Sequence, residues 1–276
     1  MKICKEHSFE NNRVKGFELG YSPVGRPLMN VLFYYVDQIL IDTAQSNMRK
    51  SFLELMQDRP VEKVLLTHHH EDHSGNALAI KKMKEVPVYG HPLTAQKLAT
   101  GFKIRPYQII TWGKADKVEV EELPSSISTD SYCFTPIHTP GHSKDHVVFL
   151  EKEQGWLFAG DLFLGANIKY FRADENIKET IESLKKILQY DFEALFCGLN
   201  PQPHNGKQML SKKLQNLEEL YGQVEKLVNE GLDEERIIRK LNKEVKMVKL
   251  ITMGNVSHAN MIRSAIKNVK KEKGIQ

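Results

Sequence analysis

The stretch His68-His69-His70-Glu71-Asp72-His73 follows the spacing His-x-His-x-Asp-His, which gathers three imidazoles and a carboxylate on a very short piece of chain. Ahead of it, Val61-Glu62-Lys63-Val64-Leu65-Leu66-Thr67 reads as a short buried strand, and the chain from Gly75 through Met83 reads as the start of a helix. Side chains at a strand-to-helix junction sit on a loop held by two rigid elements, the usual mounting for metal chemistry. Imidazole with carboxylate is a donor set for zinc, and also for iron or manganese. A purification tag would lie at a terminus and would lack the spaced Asp-His, so the stretch reads as a metal site.

Two later stretches offer further donors. Tyr132-Cys133-Phe134-Thr135-Pro136-Ile137-His138-Thr139-Pro140-Gly141-His142-Ser143 begins as a strand and turns through Pro-Gly to deliver His142. Trp156-Leu157-Phe158-Ala159-Gly160-Asp161 is an apolar strand ending in Gly-Asp, a place from which a carboxylate reaches a cation. Taken in order, His-x-His-x-Asp-His, Thr-Pro-Gly-His and Gly-Asp resemble the metallo-β-lactamase-fold hydrolases. Upstream, Ile39-Leu40-Ile41-Asp42-Thr43 is similar to that family's strand ending in Asp. The resemblance covers roughly residues 12–205.

That resemblance implies a division of labour. His68, His70 and His142 would bind one metal, Asp72 and His73 a second, and Asp161 would bridge both. Asp42 would hydrogen-bond into the site without being a ligand. The implied cofactor is zinc, with two ions sharing a hydroxide at neutral pH; iron or manganese is the alternative. The sequence departs from the family at the last ligand. The family places a His directly after a strand, whereas Ala194-Leu195-Phe196-Cys197-Gly198 is followed by Leu199, which binds no metal. His204, in Pro201-Gln202-Pro203-His204-Asn205-Gly206, is a tentative substitute, with a supporting or helix-capping role as the alternative. Without it the second ion is held more weakly than the first.

The remaining chain alternates strands and helices. Asn30 to Val36 and Ile39 to Ile41 suggest a hairpin around Asp37-Gln38. Met48, Phe52, Leu55 and Met56 predict an amphipathic helix over 46–57, and Ile177, Ile181, Leu184 and Leu188 another. The expected class is α/β, a four-layer αββα metallo-β-lactamase sandwich over residues 1–205, with a helical C-terminal domain over 206–276. In that appendage Asp233 and Ser257 look like helix N-caps. No run of about 18 apolar residues exists, so no membrane span is expected. The start of the chain has no apolar segment of the secretory kind. Three unpaired-looking cysteines, Cys4, Cys133 and Cys197, suit reduced core filling in a cytoplasmic protein. Residues 206–276 carry 15 Lys+Arg against 9 Asp+Glu, a net of +6, which leaves −2 of the chain's +4 to residues 1–205. A basic helical tail could touch RNA, but mixed charges without aromatic platforms fit a solvated surface better.

These features predict an enzyme acting on a small-molecule substrate. A metal-bound hydroxide, oriented by Asp72, would cleave an ester, thioester or lactone. The motif does not distinguish these from a phosphodiester, because one fold hosts all of them. The β-lactamase-like endoribonuclease branch, which has a helical C-terminal domain, is the nearest overall resemblance and supplies the first alternative. A mononuclear iron dioxygenase acting on a persulfide is the second, and a binding protein weakened by the loss at Leu199 is the third. Penicillin-type substrates are disfavoured, since true lactamases depart from the motif at the position of Asp72. Among the other histidines, His69 should point away from the ligands, and His91 and His138 should be structural. His146 either orients a ligand or simply packs.

Overall fold

Seven strands form the first sheet in chain order in a computed structural model that describes residues 1–27, 29–243 and 246–275. β1 (Lys2–Phe9), β2 (Val14–Tyr21), β3 (Asn30–Val36) and β4 (Ile39–Ile41) are antiparallel neighbours. β5 (Lys63–Leu65), β6 (Val88–Gly90) and β7 (Glu121–Glu122) extend the sheet in parallel. The expected hairpin joins β3 to β4. Its Asp37 and Gln38 take φ of 44° and 66°, the left-handed pair favoured in two-residue turns.

Parallel pairing requires crossovers, and helices supply them. α1 (Arg49–Met56) lies between β4 and β5, preceded by a tight 3-10 turn at Ser46–Met48 within the expected 46–57 helix. α2 (Glu71–Ser74) and α3 (Ala77–Lys84) follow β5, and α4 (Pro92–Thr100) and α5 (Pro106–Thr111) follow β6. Phe52, Met56, Ala77, Ile80 and Leu98 from these helices bury against Phe17, Phe33, Leu40, Val64 and Val88 of the sheet.

The second sheet contains β8 (Ile127–Ser128), β9 (Cys133–His138), β10 (Val147–Glu151) and β11 (Trp156–Gly160). A two-residue strand, β12 (Phe171–Arg172), stands outside it, and β13 (Ala194–Cys197) completes it in the order β13-β11-β10-β9-β8. Alternate residues of the two sheets meet in one core, where Tyr34, Ile41 and Leu65 pack with Phe134, Phe149, Phe158 and Phe196. β10 and β11 are buried at every residue, the pattern of strands covered on both faces. The class is thus α/β with two sheets facing each other, as the motif order implied.

Contacts divide the chain into two units, the first holding both sheets. The second gathers 139–144, 162–190 and the chain from 207 onward, so it takes in more than the segment after residue 205. It holds α6 (Ile177–Ile187), α7 (Gly206–Asn229, whose first residue lies in the first unit), α8 (Glu234–Leu241), α9 (Lys246–Ile251), β14 (Val256–Ser257) and α10 (His258–Lys273). β12 pairs with β14. α10 ties α6 into this unit: Ser264 Oγ accepts from Ile177 N at 3.0 Å and donates to the Glu175 carbonyl at 3.0 Å. Both expected N-caps are present, Asp233 accepting from Arg236 N at 2.8 Å and Ser257 Oγ from Asn260 N at 3.1 Å. Among the described residues no helix is long and apolar enough to cross a membrane.

Candidate metal centre

The parallel register of β4 and β5 sets Ile41 opposite Leu65, so the two chains leave the sheet side by side. Asp42 N donates to the Leu65 carbonyl at 2.8 Å, and the residue bends away with φ of 63°. Its carboxylate then serves three donors: Thr67 N at 2.8 Å, Thr67 Oγ1 at 2.8 Å and His73 Nδ1 at 2.7 Å. This is the supporting position expected of Asp42, and it determines the chemistry of two imidazoles. His73 donates from Nδ1, so Nε2 is the atom left to carry a proton or to meet a cation. Thr67 Oγ1 donates its single proton to Asp42, so it accepts from His68 Nδ1, 3.0 Å away, and the same then holds for His68 Nε2. His68 Nε2 in turn lies 2.8 Å from His70 Nδ1.

Asp161 enters from the end of β11. The preceding Gly160 has φ of 47°, and a Cβ there would stand 2.7 Å from His146 Nε2 and 2.9 Å from the Thr67 side chain. Only glycine lets the strand come this close. His146 is fully buried, and its Nε2 accepts from Asp161 N at 3.1 Å, so it orients the residue carrying the carboxylate. Asp161 Oδ1 sits 3.2 Å from His73 Nε2, and one donor atom each from His68, His73 and Asp161 lies within 4.8 Å of the others. Asp72 Oδ2 is 3.8 Å from His73 Nε2 and partly open to solvent. Burial pulls the His73 pKa down, but Asp161, Asp42 and Asp72 outweigh it and raise it well above the ordinary histidine range. Three carboxylates thus surround one buried imidazole, a concentration of negative charge that favours a positive charge at Nε2, whether a proton or a bound cation.

His142 rides on the 139–144 turn of the second unit, where the Thr-Pro-Gly-His turn is clasped by the start of α6. Asn176 N donates to the Gly141 carbonyl at 2.8 Å and Ser183 Oγ to the Pro140 carbonyl at 2.7 Å. Gly141 has φ of 136°, and a Cβ would meet Thr180 N at 2.5 Å. His142 Nδ1 lies 3.4 Å from Glu175 Oε2, a carboxylate positioned to fix the ring.

The end of β13 runs against the cluster. A Cβ on Gly198 would stand 2.8 Å from Asp161 Oδ1 and 3.0 Å from His73 Cε1, and Gly198 N donates to the Gly160 carbonyl at 3.0 Å. Leu199, the next residue, is 37% exposed, an open apolar group beside a polar centre. His204 is exposed on the turn beyond, and among the described residues it joins no cluster of three donors.

His69 is turned to other partners. Its backbone N donates to Asp145 Oδ2 at 3.0 Å and its Nδ1 lies 2.9 Å from the same oxygen, while Thr94 Oγ1 donates to it at 2.7 Å and Lys97 Nζ to Oδ1 at 3.3 Å. Asp145 is fully buried; burial alone would raise its pKa, but His69, Lys97 and Thr94 hold it far below the usual carboxylate range. Sequence reasoning weighs His146 and passes over Asp145 beside it; the short Ser-Lys-Asp-His run after His142 is the available signal. His91 and His138 stack with ring centroids 4.6 Å apart, and His91 Nδ1 caps α4 by accepting from Leu93 N.

Comparison with known proteins agrees with this geometry. Residues 30–199 match the model of the metallo-beta-lactamase superfamily. The chain is 29% identical over 201 residues to the beta-lactamase-like protein 2 homolog of Drosophila melanogaster, covering 65% of this chain and 62% of that protein. It is 29% identical over 161 residues to a hydroxyacylglutathione hydrolase of Legionella pneumophila, covering 56% of each. The chain thus spans less than two thirds of the length of these curated relatives. A metallo-beta-lactamase family protein from Thermus thermophilus shares the fold, with a TM-score of 0.63 at 17% identity over 94% of both chains.

Proposed function

Because the chain belongs to the metallo-beta-lactamase superfamily, we propose that it is a metal-dependent hydrolase cleaving a small ester, thioester or lactone at its carbonyl carbon. The observation that carries this reading is the Asp42–His73–Asp161 chain: one carboxylate takes the Nδ1 proton, and the other faces Nε2, the atom at which a cation would replace a proton. His68, His70 and His142 are the proposed ligands of one ion. Asp72 and His73 are those of a second, with Asp161 shared between them. Two bound zinc ions would supply a nucleophile from water at neutral pH and offset the charge that develops on the carbonyl oxygen. The chain's own groups do the rest. Asp72, the most open of the three carboxylates, takes the proton of the attacking water at Oδ2. Asp42 and His146 act through their neighbours, holding His73 and Asp161 in register. Leu199 leaves the second ion one ligand short, so it is the weaker of the two.

A thioester is favoured among the candidate substrates because a relative named as a hydroxyacylglutathione hydrolase matches 56% of the chain. The test is elemental analysis of protein purified without added metal or chelator, followed by hydrolysis of a panel of thioesters, esters and lactones. About two zinc ions per chain and turnover abolished by a chelator are expected. About one iron with oxygen uptake would overturn hydrolysis in favour of the dioxygenase reading. Cleavage of an oligoribonucleotide in place of the panel would favour the phosphodiesterase reading.

A further inference from the structure

The turn after α4 and the turn after α5 border a half-open pocket of about 480 Å³ in the first unit that the metal centre does not use. Lys103, Lys114 and Lys117 line it, with Phe102, Ile104 and Ala115 as its apolar wall. Asp116, the carboxylate in the lining, is held 2.6 Å from Arg49 Nη2 and so is already engaged by a cation. Among the described residues none of the three lysine ammonium groups has an ion-pair partner within the pocket or outside it. Gly101 has φ of 84°, and its missing Cβ leaves room for the Lys117 stem, which would lie 3.2 Å from that atom at Cε. Three exposed lysines thus border a small volume whose one carboxylate is already paired with Arg49.

The pocket is mechanically joined to the His-x-His-x-Asp-His loop. The Phe102 ring meets the His69 ring edge-on at 4.8 Å, and His69 lies 4.6 Å from the His70 ring. From α5, Gln108 Nε2 donates to the buried Glu71 Oε1 at 2.6 Å. A substrate whose carbonyl reaches the His70 side of the centre therefore has a basic pocket two ring contacts away.

We propose that this pocket binds the phosphate-bearing arm of the substrate, which makes the substrate a thioester of a phosphorylated thiol carrier. The inference rests on the hydrolytic reading above. Compact ammonium charges on flexible stems suit phosphate oxygens, which offer more charge than a carboxylate and need no planar fork. Single-stranded RNA fits the pocket less well. Phe102 is the one aromatic residue in its lining, whereas single-stranded nucleic acid is held on several aromatic faces in succession.

The test compares coenzyme A with pantetheine, the same thiol without phosphate, by calorimetry on the intact protein and on the K103A/K114A/K117A variant. Wild type should bind coenzyme A at least about tenfold more tightly than pantetheine, and the variant should lose that preference with pantetheine affinity unchanged. In turnover, kcat/KM for S-acetyl-coenzyme A should fall about tenfold or more in the variant while that for S-acetylpantetheine holds. Equal affinity of wild type for the two thiols, or a preference that survives in the variant, overturns the pocket. A calorimetric preference without hydrolysis of either thioester keeps the pocket as a phosphate site and overturns the thioester substrate; if the ester and lactone panel is also left uncleaved, the hydrolytic reading falls with it. Hydrolysis of both at equal efficiency does the reverse. An oligoribonucleotide that displaces coenzyme A through the same lysines, binding over about tenfold more tightly, would overturn the small-molecule ligand in favour of RNA. The variant's melting temperature, matched to wild type, separates lost binding from lost folding.

Discussion

Two buried histidine–carboxylate pairs lie on the same loop, and they serve different ends. His73 Nδ1 is 2.7 Å from Asp42, and His69 Nδ1 is 2.9 Å from Asp145. The distances hardly differ; the surroundings do. Asp145 is enclosed by a threonine hydroxyl, a backbone amide and the Lys97 ammonium, so its charge is balanced within the protein. Around His73 the charge runs the other way, with Asp161 and Asp72 added to Asp42 beside one imidazole. A pair with its charge balanced locks a loop in place, whereas a pair left negative recruits a cation.

Substitutions separate the two roles. The largest expected effect is on stability, at Asp145. Breaking a buried charge network by removing one partner costs about 3–5 kcal/mol, so Asp145→Asn should lower the melting temperature by roughly 6–20 °C. Its zinc content, measured at low temperature where it remains folded, should change little; a large loss of metal with no loss of stability would erase the distinction. Asp42→Asn should show the opposite pattern, weakening metal affinity about 10–100-fold with a smaller shift in melting temperature, as a competitive chelator titration would reveal.

Acid should act on the balanced pair in a calculable direction. Asp145 has its native pKa depressed, so its contribution is complete above the unfolded value of about 3.9 and is lost as pH falls from there toward the native value. Urea midpoints measured for the metal-free protein between pH 5 and 3 should fall, and less steeply in Asp145→Asn. Identical slopes would mean that Asp145 is not held as the geometry requires. The smallest effect is expected at Leu199→His, which adds a donor next to Gly198 beside Asp161 and His73. It should raise affinity for the second ion by about tenfold, on the scale of one added ligand interaction, and raise activity at limiting zinc. No change in stoichiometry or activity would show that residue 199 does not face the ion.

Much of the site was legible because its residues are close in sequence or end strongly apolar strands. His68, His70, Asp72 and His73 share one loop, and Asp42 and Asp161 each follow an apolar run. The caps at Asp233 and Ser257 were legible for a local reason, since an N-cap bonds within its own first turn. What escaped depends on distant partners. Asp145 meets His69, Thr94 and Lys97 only after the two sheets are assembled, and no spacing announces that. β1 escaped as well: Lys2, Cys4, Lys5, Glu6 and Ser8 are exposed and only Ile3, His7 and Phe9 are half-buried on an edge strand that has no apolar run, and its backbone pairing with β2 makes it a strand. The membership of 162–190 in the second unit follows from hydrogen bonds between the start of α6 and Ser264, a separation of almost ninety residues.

The register of β4 on β5 has a consequence for how the molecule is assembled. Asp42 finds Thr67 and His73 only because Ile41 stands beside Leu65. A slip of one residue would turn the side chains of β5 to the wrong face and carry Thr67 away from the carboxylate. Long-range parallel pairings of this kind form slowly and admit misaligned traps during folding. A cation that binds only the aligned arrangement draws the population toward it in proportion to its concentration over its dissociation constant. Metal availability during synthesis would then act as a proofreader of strand alignment, and a chain folded without it would carry its errors forward as an inactive fraction.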